Sequence, residues 1–332
     1  MKRPISRRSF IRALTLFGNT LTLFPSWALQ TAPARPKRIG FLLGNAYPEL
    51  AEAFRNELSR LGYTEGRDVV IEARFTGPNP TDLEAMSAEL ARMDLALVVA
   101  GALPFALEVR KANPSMPMVI ATCPGIVSNG FAQTLDRPGG IYTGIDELPP
   151  GVTARRLRLL KLAAPALTRV ALLSTTPGRG GHEAQVADAE TAAAEIGVQV
   201  RPYRAASLAE LKSALERIAA DGMNGMLSFQ GGLSLGYRQL IIDFAADKRI
   251  PAIYQATLFA EAGGLMAWAP DLPEQFRVAA RLVDKILKGS KPGDLPVKHP
   301  EKYYLTVNSS AARKIDLTLP QELLAQAVRV LE

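Results

Sequence analysis

Residues 38–75 read RIGFLLGNAYPELAEAFRNELSRLGYTEGRDVVIEARF. Arg38 to Leu43 is an apolar run without alternation, as expected of a strand buried on both faces. From Glu49 the apolar residues change to helical spacing, with Leu50, Phe54, Leu58 and Leu61 on one face. Gly62 closes that helix, because glycine takes the left-handed conformation that ends a helix at little cost. Val69 to Phe75, rich in β-branched residues, reads as a second strand. Strand, helix and strand in so short a stretch make a right-handed βαβ unit, whose two strands lie parallel.

Working outward, the alternation continues. Strands are predicted at Leu95 to Ala100 and Met118 to Thr122, with helices at Asp82 to Met93 and Pro104 to Ala112. The pattern then restarts with a helix at Val152 to Ala163, a strand at Arg169 to Ser174, a helix at Glu183 to Ile196 and a strand at Val198 to Tyr203. Leu208, Leu211, Leu215 and Ile218 mark the next helix, followed by strands at Gly225 to Phe229, Pro251 to Tyr254 and Gly264 to Ala267. Strict alternation predicts an α/β chain with parallel sheets. Two runs, each longer than about 100 residues, predict two doubly wound lobes, with a closed eight-fold barrel as the structural rival. The Pro- and Gly-rich stretches Arg137 to Gly140, ahead of Thr143 and Gly144, and Gly289 to Pro300 read as passages between lobes.

The chain has 332 residues, 48% hydrophobic and 21% charged, which excludes a disordered or collagen-like chain. A single cysteine, Cys123, excludes an intrachain disulfide and a Cys-rich zinc site. The formal charge of +7 would suggest nucleic acid or anionic membrane as a partner, but its placement argues otherwise. Residues 1–38 carry eight positive charges and no acid, which leaves −1 on the remainder. Five of the eight precede the apolar stretch Ala13 to Phe24, too short for the roughly 20 residues that span a bilayer. A basic start, a short apolar stretch and the small-x-small site at Ser26-Trp27-Ala28 describe an export signal over residues 1–28, with cleavage as late as 34 as the alternative. Ser6-Arg7-Arg8-Ser9-Phe10-Ile11-Arg12 resembles the twin-arginine export motif, with Arg7, Arg8 and Phe10 as its signature and Arg12 where lysine is commoner. A basic amphipathic helix binding membrane or nucleic acid is the bland alternative. With no cysteine near the cleavage region, the expected product is a soluble periplasmic protein without a lipid anchor.

Several segments together resemble the substrate-binding proteins of ABC transporters, in the tryptophan/tyrosine-type branch. They are Leu61-Gly62-Tyr63-Thr64-Glu65-Gly66, Arg137-Pro138-Gly139-Gly140 with Thr143-Gly144, Arg156-Leu157 through Leu160-Lys161, Ile250-Pro251-Ala252-Ile253-Tyr254 and Glu261-Ala262-Gly263-Gly264-Leu265-Met266. Ile286-Leu287-Lys288-Gly289 and Asp294-Leu295-Pro296-Val297 complete the set. The resemblance implies a periplasmic binding protein type I-like fold, two lobes joined by a three-crossing hinge. The crossings would fall near Ile145, Pro270 and Pro296, dividing the chain into residues 38–144 with 271–296 and residues 145–270 with 297–332. Helix Glu274 to Leu287, with Phe276, Ala280, Val283 and Leu287 as its stripe, would return to the first lobe. The partners implied are a small-molecule ligand, a permease with its ATPase and the twin-arginine machinery, for a monomer with no cofactor, metal or nucleic acid.

Open parallel sheets bind ligands beyond the carboxyl ends of their strands. Taking the residues there gives Asn45, Tyr47, Ala102, Thr122 and Cys123 from the first lobe, Thr175, Gln230, Gln255 and Trp268 from the second, and Asp146 at the crossing. Neutral hydrogen-bonding groups dominate, and Tyr47 and Trp268 offer flat stacking surfaces or, equally, packing. Cys123 reads as a small buried filler, with no histidine placed to activate it. His182, after Gly178-Arg179-Gly180-Gly181, opens a helix behind a loop that lacks the Gly-Lys-Ser/Thr of a phosphate loop. His299 reads as solvated. The family pattern implied by the resemblance has an acid where Gly125 stands, a threonine where Ala102 stands and acids near Gln230 and Gln255. Asp146 alone remains as a cation partner, so a neutral or anionic small molecule is at least as expected as an aromatic amino acid.

These features predict a solute-binding protein of an ABC importer. An exported α/β enzyme and a ligand sensor using the same cleft are the alternatives. Against the enzyme stands the lack of a Walker loop and of a His-Glu-x-x-His site.

Overall fold

Strand β1 (Lys37–Gly44) sends Ile39, Phe41 and Leu43 into one buried cluster and Leu42 into another. Successive side chains of a strand point to opposite faces, so its unbroken apolar run means that helices cover both sides. The computed structural model describes residues 35–44, 48–76, 80–175, 181–229 and 231–332. After β1 come α1 (Pro48–Arg60), β2 (Val69–Thr76), α2 (Pro80–Arg92), β3 (Leu97–Ala100), α3 (Leu103–Ala112), β4 (Met118–Cys123) and β5 (Tyr142–Asp146). The strands pair in the order β2-β1-β3-β4-β5, all parallel.

The second sheet is built from α4 (Val152–Ala163), β6 (Arg169–Ser174), α5 (His182–Ile196), β7 (Gln199–Arg204), α6 (Leu208–Ala220), β8 (Gly225–Ser228), α7 (Gly232–Gly236), α8 (Arg238–Asp247), β9 (Ala252–Tyr254), α9 (Thr257–Glu261) and β10 (Met266–Pro270). It is completed, after α10 (Leu272–Leu287), by β11 (Tyr303–Asn308), α11 (Ser309–Lys314), α12 (Gln321–Leu324) and β12 (Ala327–Leu331). The order is β12-β11-β10-β9-β8-β6-β7. From β7 to β10 this repeats the winding of the first sheet. The protein is therefore two doubly wound lobes, and both sheets stay open with free edges rather than closing into a barrel.

Two strand expectations are corrected. Pairing is not parallel throughout, because β11 runs antiparallel to β10, with Pro270 opposite Tyr303 and Met266 opposite Val307. The chain leaves the second sheet at the end of β10 and re-enters beside that same end, so β11 has to run back along its neighbour. The stretch ahead of Thr143 and Gly144 is not simply a passage, since Tyr142–Asp146 forms the edge strand of the first sheet. Gly144 is needed there: a Cβ would stand 2.2 Å from the Ile120 carbonyl oxygen.

Helix α10 packs on α1 and shares a buried cluster with β1. Phe276, Ala280 and Val283 are fully buried, and the Phe276 ring lies 6.0 Å from Phe41, itself 5.0 Å from Phe54. Burying such a ring stabilises by about 2–3 kcal/mol. The helix is started by Asp271, whose carboxylate accepts the Glu274 N–H, with Pro273 in the first turn where no donor is missed. Glu57 of α1 accepts from Arg281 at 2.9 Å and from Arg60 at 2.8 Å, and these guanidinium groups lower its pKa to about 2.

The chain passes between the lobes after β5, after β10 and before β11, and the three passages are bonded together. The Asp146 N–H donates to the Lys298 carbonyl at 2.8 Å, the Asp271 N–H to Lys302 at 3.3 Å, and the Tyr303 hydroxyl to the Glu147 carbonyl at 3.0 Å. His299 is not free in solvent: it is half-buried, and its Nδ1 donates to the Asp146 carbonyl at 2.7 Å.

Candidate functional site

Each sheet reverses its winding at one point, between β1 and β3 in the first lobe and between β6 and β8 in the second. Helices α3 and α5 begin at these points, at the carboxyl ends of the strands, where doubly wound folds bind ligands. Among the described residues both start without a side-chain cap, at Ala102 and Gly181. By contrast Asp188 accepts two N–H groups at the start of α4, and Ser207 caps α6. The first N–H groups of an uncapped helix remain available to an acceptor from outside.

The two edges meet at a pair of glycines. Gly125 follows β4 and Gly181 precedes α5; a Cβ on Gly125 would stand 2.8 Å from the Gly181 nitrogen and 3.0 Å from its Cα. Gly125 is also in the left-handed region, with φ +75°. Backbone thus rests against backbone across the cleft, and any side chain at position 125 would push the lips apart.

Among the expected first-lobe residues, Asn45 and Tyr47 lie outside the described residues, as does Gln230 of the second lobe. Ala102 is partly buried with extended backbone at the start of α3. The Thr122 hydroxyl donates to the Gly101 carbonyl at 2.9 Å, tying the end of β4 to the end of β3. Cys123 is fully buried in the apolar cluster around Val98 and Met118, and burial pushes its thiol pKa well up. That is the environment of an inert filler rather than a ligand contact. Asp146 is not a free cation partner. Its carboxylate accepts the N–H groups of Gly125, Ile126 and Leu148, each at 3.0 Å, and so staples the loop after β4 to the first passage between lobes.

In the second lobe the Thr175 hydroxyl accepts the Ser234 N–H at 3.1 Å, and Gln255 donates from Nε2 toward the Ser234 hydroxyl at 3.4 Å. The Gln255 Oε1, 4% exposed as a residue, has no partner. Trp268 stacks on Tyr303 at 4.5 Å and 20°, so one indole face is already covered. The expectation of a loop opening a helix at His182 misses a buried imidazole, 2% exposed. Its Nε2 accepts from Arg204 Nε at 3.0 Å, which places the ring proton on Nδ1, and Nδ1 has no partner. Burial first, then the Arg204 charge, lowers its pKa, so the ring is neutral. Ser174, wholly buried at the end of β6, also has an unpartnered hydroxyl.

The hinge carries a second polar group that strand-end reasoning does not find. Arg156 is fully buried and donates from Nε to the Trp268 carbonyl at 3.0 Å; loss of solvent lowers its pKa to about 10, so it stays charged. Glu147, 2% exposed, accepts from Gln275 Nε2 at 3.0 Å and raises the Arg156 pKa in opposition to burial. Their signal in the sequence was position alone, flanking a passage between lobes. A surface groove of about 410 Å³ lies between α6 and α8 around Leu215 and Phe244, on helix faces and away from the strand ends. Among the described residues no three His, Cys, Asp or Glu side chains are grouped to hold a metal, and no helix is long and apolar enough to cross a membrane.

This architecture has known relatives. A tyrosine-binding protein of Clostridioides difficile is 19% identical over 291 residues, covering 87% of this chain and 83% of the relative. The structure of an ABC domain in complex with L-Trp from Streptococcus pneumoniae superposes with a TM-score of 0.76 at 21% identity, over 88% of this chain and 100% of the other. A ligand-free, open structure of a substrate binding protein with adhesive properties from Clostridium difficile gives 0.67 at 19% identity, over 89% and 99%. The family model for ABC transporter substrate binding proteins matches residues 39–331, nearly all of the described chain, and the protein belongs to that family.

Proposed function

We propose that the protein is exported to the periplasm, captures a small organic ligand between its lobes and presents the closed form to a membrane permease driven by its ATPase. On this reading it acts as a monomer and catalyses no reaction; work is done by hinge closure and by differential docking of the closed form. The observation that carries it is the meeting of Gly125 and Gly181, which brings the carboxyl-end edges of the two sheets together, with unpartnered buried polar atoms on Ser174 and His182 at the second. The lobes would comprise residues 38–144 with 271–296 and residues 145–270 with 297–332, except that β5 keeps Ile145 and Asp146 with the first sheet. The test is thermal denaturation of the purified protein against amino acids, carboxylates, amides and aromatic acids. A true ligand at 100 times its Kd stabilises by about 2.7 kcal/mol, while turnover of a panel member would replace this reading by an enzymatic one.

Residues 1–28 would be the address, with Arg7, Arg8 and Phe10 read by the twin-arginine machinery; they lie outside the described residues. Replacing both arginines by lysine should leave the protein in the cytoplasm, as cell fractionation would show. Undiminished export would sink the twin-arginine assignment.

A further inference from the structure

If the cleft is a solute site, its chemistry also selects the solute. An α-amino acid needs an acceptor for its ammonium group once water is excluded, and a desolvated cation without one is strongly disfavoured. The Gln255 Oε1 is an unpartnered acceptor, but a neutral one that cannot balance the charge, and the carboxylates nearest the cleft are engaged elsewhere. Asp146 is held by three backbone N–H groups, Asp188 caps α4, Glu147 takes Gln275, and Glu183, at the mouth of α5, pairs with Arg204 at 2.9 Å. Position 125 presents no side chain, and a carboxylate there would collide with Gly181.

Donors, in contrast, are in surplus at the start of α5. Among the described residues no side chain caps the first-turn N–H groups of this 15-residue helix. His182, its first residue, keeps a proton on Nδ1 with no acceptor, and Ser174 at the end of the preceding strand keeps a free hydroxyl. The residues bearing these two groups are 2% and 0% exposed, so bulk solvent does not reach them. A buried unsatisfied donor is costly, and a carboxylate arriving at a helix N-terminus relieves several at once. His182 is fixed for this purpose: Arg204 holds Nε2 and so leaves Nδ1 as the donating side.

We infer that the ligand is an organic acid without an ammonium group, its carboxylate held at the start of α5 by the His182 Nδ1–H, the Ser174 hydroxyl and first-turn N–H groups. The inference rests on the solute-binding reading and narrows it. Calorimetric titration of the purified protein with matched compounds tests it: 3-phenylpropanoate, phenylalanine and 3-phenylpropanamide; 4-methylpentanoate, leucine and 4-methylpentanamide; succinate, aspartate and succinamide. At least one acid should bind at least tenfold more tightly than its amino and amide counterparts. His182→Phe should lose tenfold or more of that affinity. His182→Asn should recover part of the loss, because the Asn amide nitrogen can stand near the place of Nδ1. As a check that needs no variant, the imidazole 15N spectrum of a protein with two histidines should show the His182 Nδ1–H resonance move when the acid is added. An amino acid or amide that binds as tightly as its acid overturns the inference and leaves solute binding intact. Silence from the whole panel overturns both.

Discussion

In the first lobe Thr122 and Asp146 close the ends of β4 and β5 on backbone partners, whereas in the second Ser174, His182 and Gln255 each keep a buried atom unpartnered. The two lobes share one winding, so the difference comes from side chains and not from topology. A satisfied edge is stiff and complete, while each unsatisfied buried group raises the free energy of the empty protein by roughly 1–3 kcal/mol until something meets it. At the strand ends, then, Thr122 and Asp146 of the first sheet are already bonded, while the second lobe keeps an unfinished set of donors and acceptors. Polar recognition by one lobe and closure against the other is the division of labour that follows.

The comparison breaks most visibly in the core. Phe276→Ala removes a ring contributed to the first lobe by a helix that follows β10 of the second, and should cost about 3–5 kcal/mol. Hydrogen exchange should quicken in β1, β3 and β4 and change little in β6 and β8. Equal quickening in both sheets would show that the lobes open as one unit. Next in size is the contact between lips. Gly125→Val should hold the lobes apart and weaken ligand binding about a hundredfold, or about 2.7 kcal/mol, with a larger radius of gyration in X-ray scattering. Unchanged affinity would remove Gly125 from the closure contact.

The smallest effect sharpens the comparison through pH. The Glu57 pKa is lowered from 4.5 to about 2 in the folded protein, so its contribution is complete above the unfolded value and is lost as pH falls toward 2. Glu57 is buried but its partner Arg60 is exposed, so Glu57→Gln should cost only about 1 kcal/mol at pH 7 after screening. Urea denaturation of the two proteins should converge near pH 2. A difference independent of pH would mean that packing, not charge, ties α1 to α10.

Periodicity made the architecture legible where side chains alternate between two helical layers. The bounds of α4 and β6 are those expected, and the α10 stripe of Phe276, Ala280 and Val283 is buried as its spacing predicts. β5 was hidden because a five-residue strand behind Pro138, Gly139 and Gly140 carries turn signals stronger than its own pattern. Site residues fared differently. Strand ends were located to within a residue or so except at β10, which runs on to Pro270 and holds Trp268 inside it, but which polar groups are already bonded depends on neighbours far along the chain. Asp146 meets Gly125 across 21 positions, and Thr175 meets Ser234 across 59.

The sequence by itself determined an α/β chain in two alternating runs, because burial on both faces of a sheet leaves a local record in each strand and helix. It also confined the excess positive charge to the first 38 residues. Only the tertiary structure decided that β11 reverses direction, that Gly125 rests on Gly181, and that His182 is a neutral buried donor while Asp146 is already bonded. Direction, close approach and hydrogen-bond satisfaction are properties of residue pairs brought together by folding, and no single stretch of sequence contains both partners.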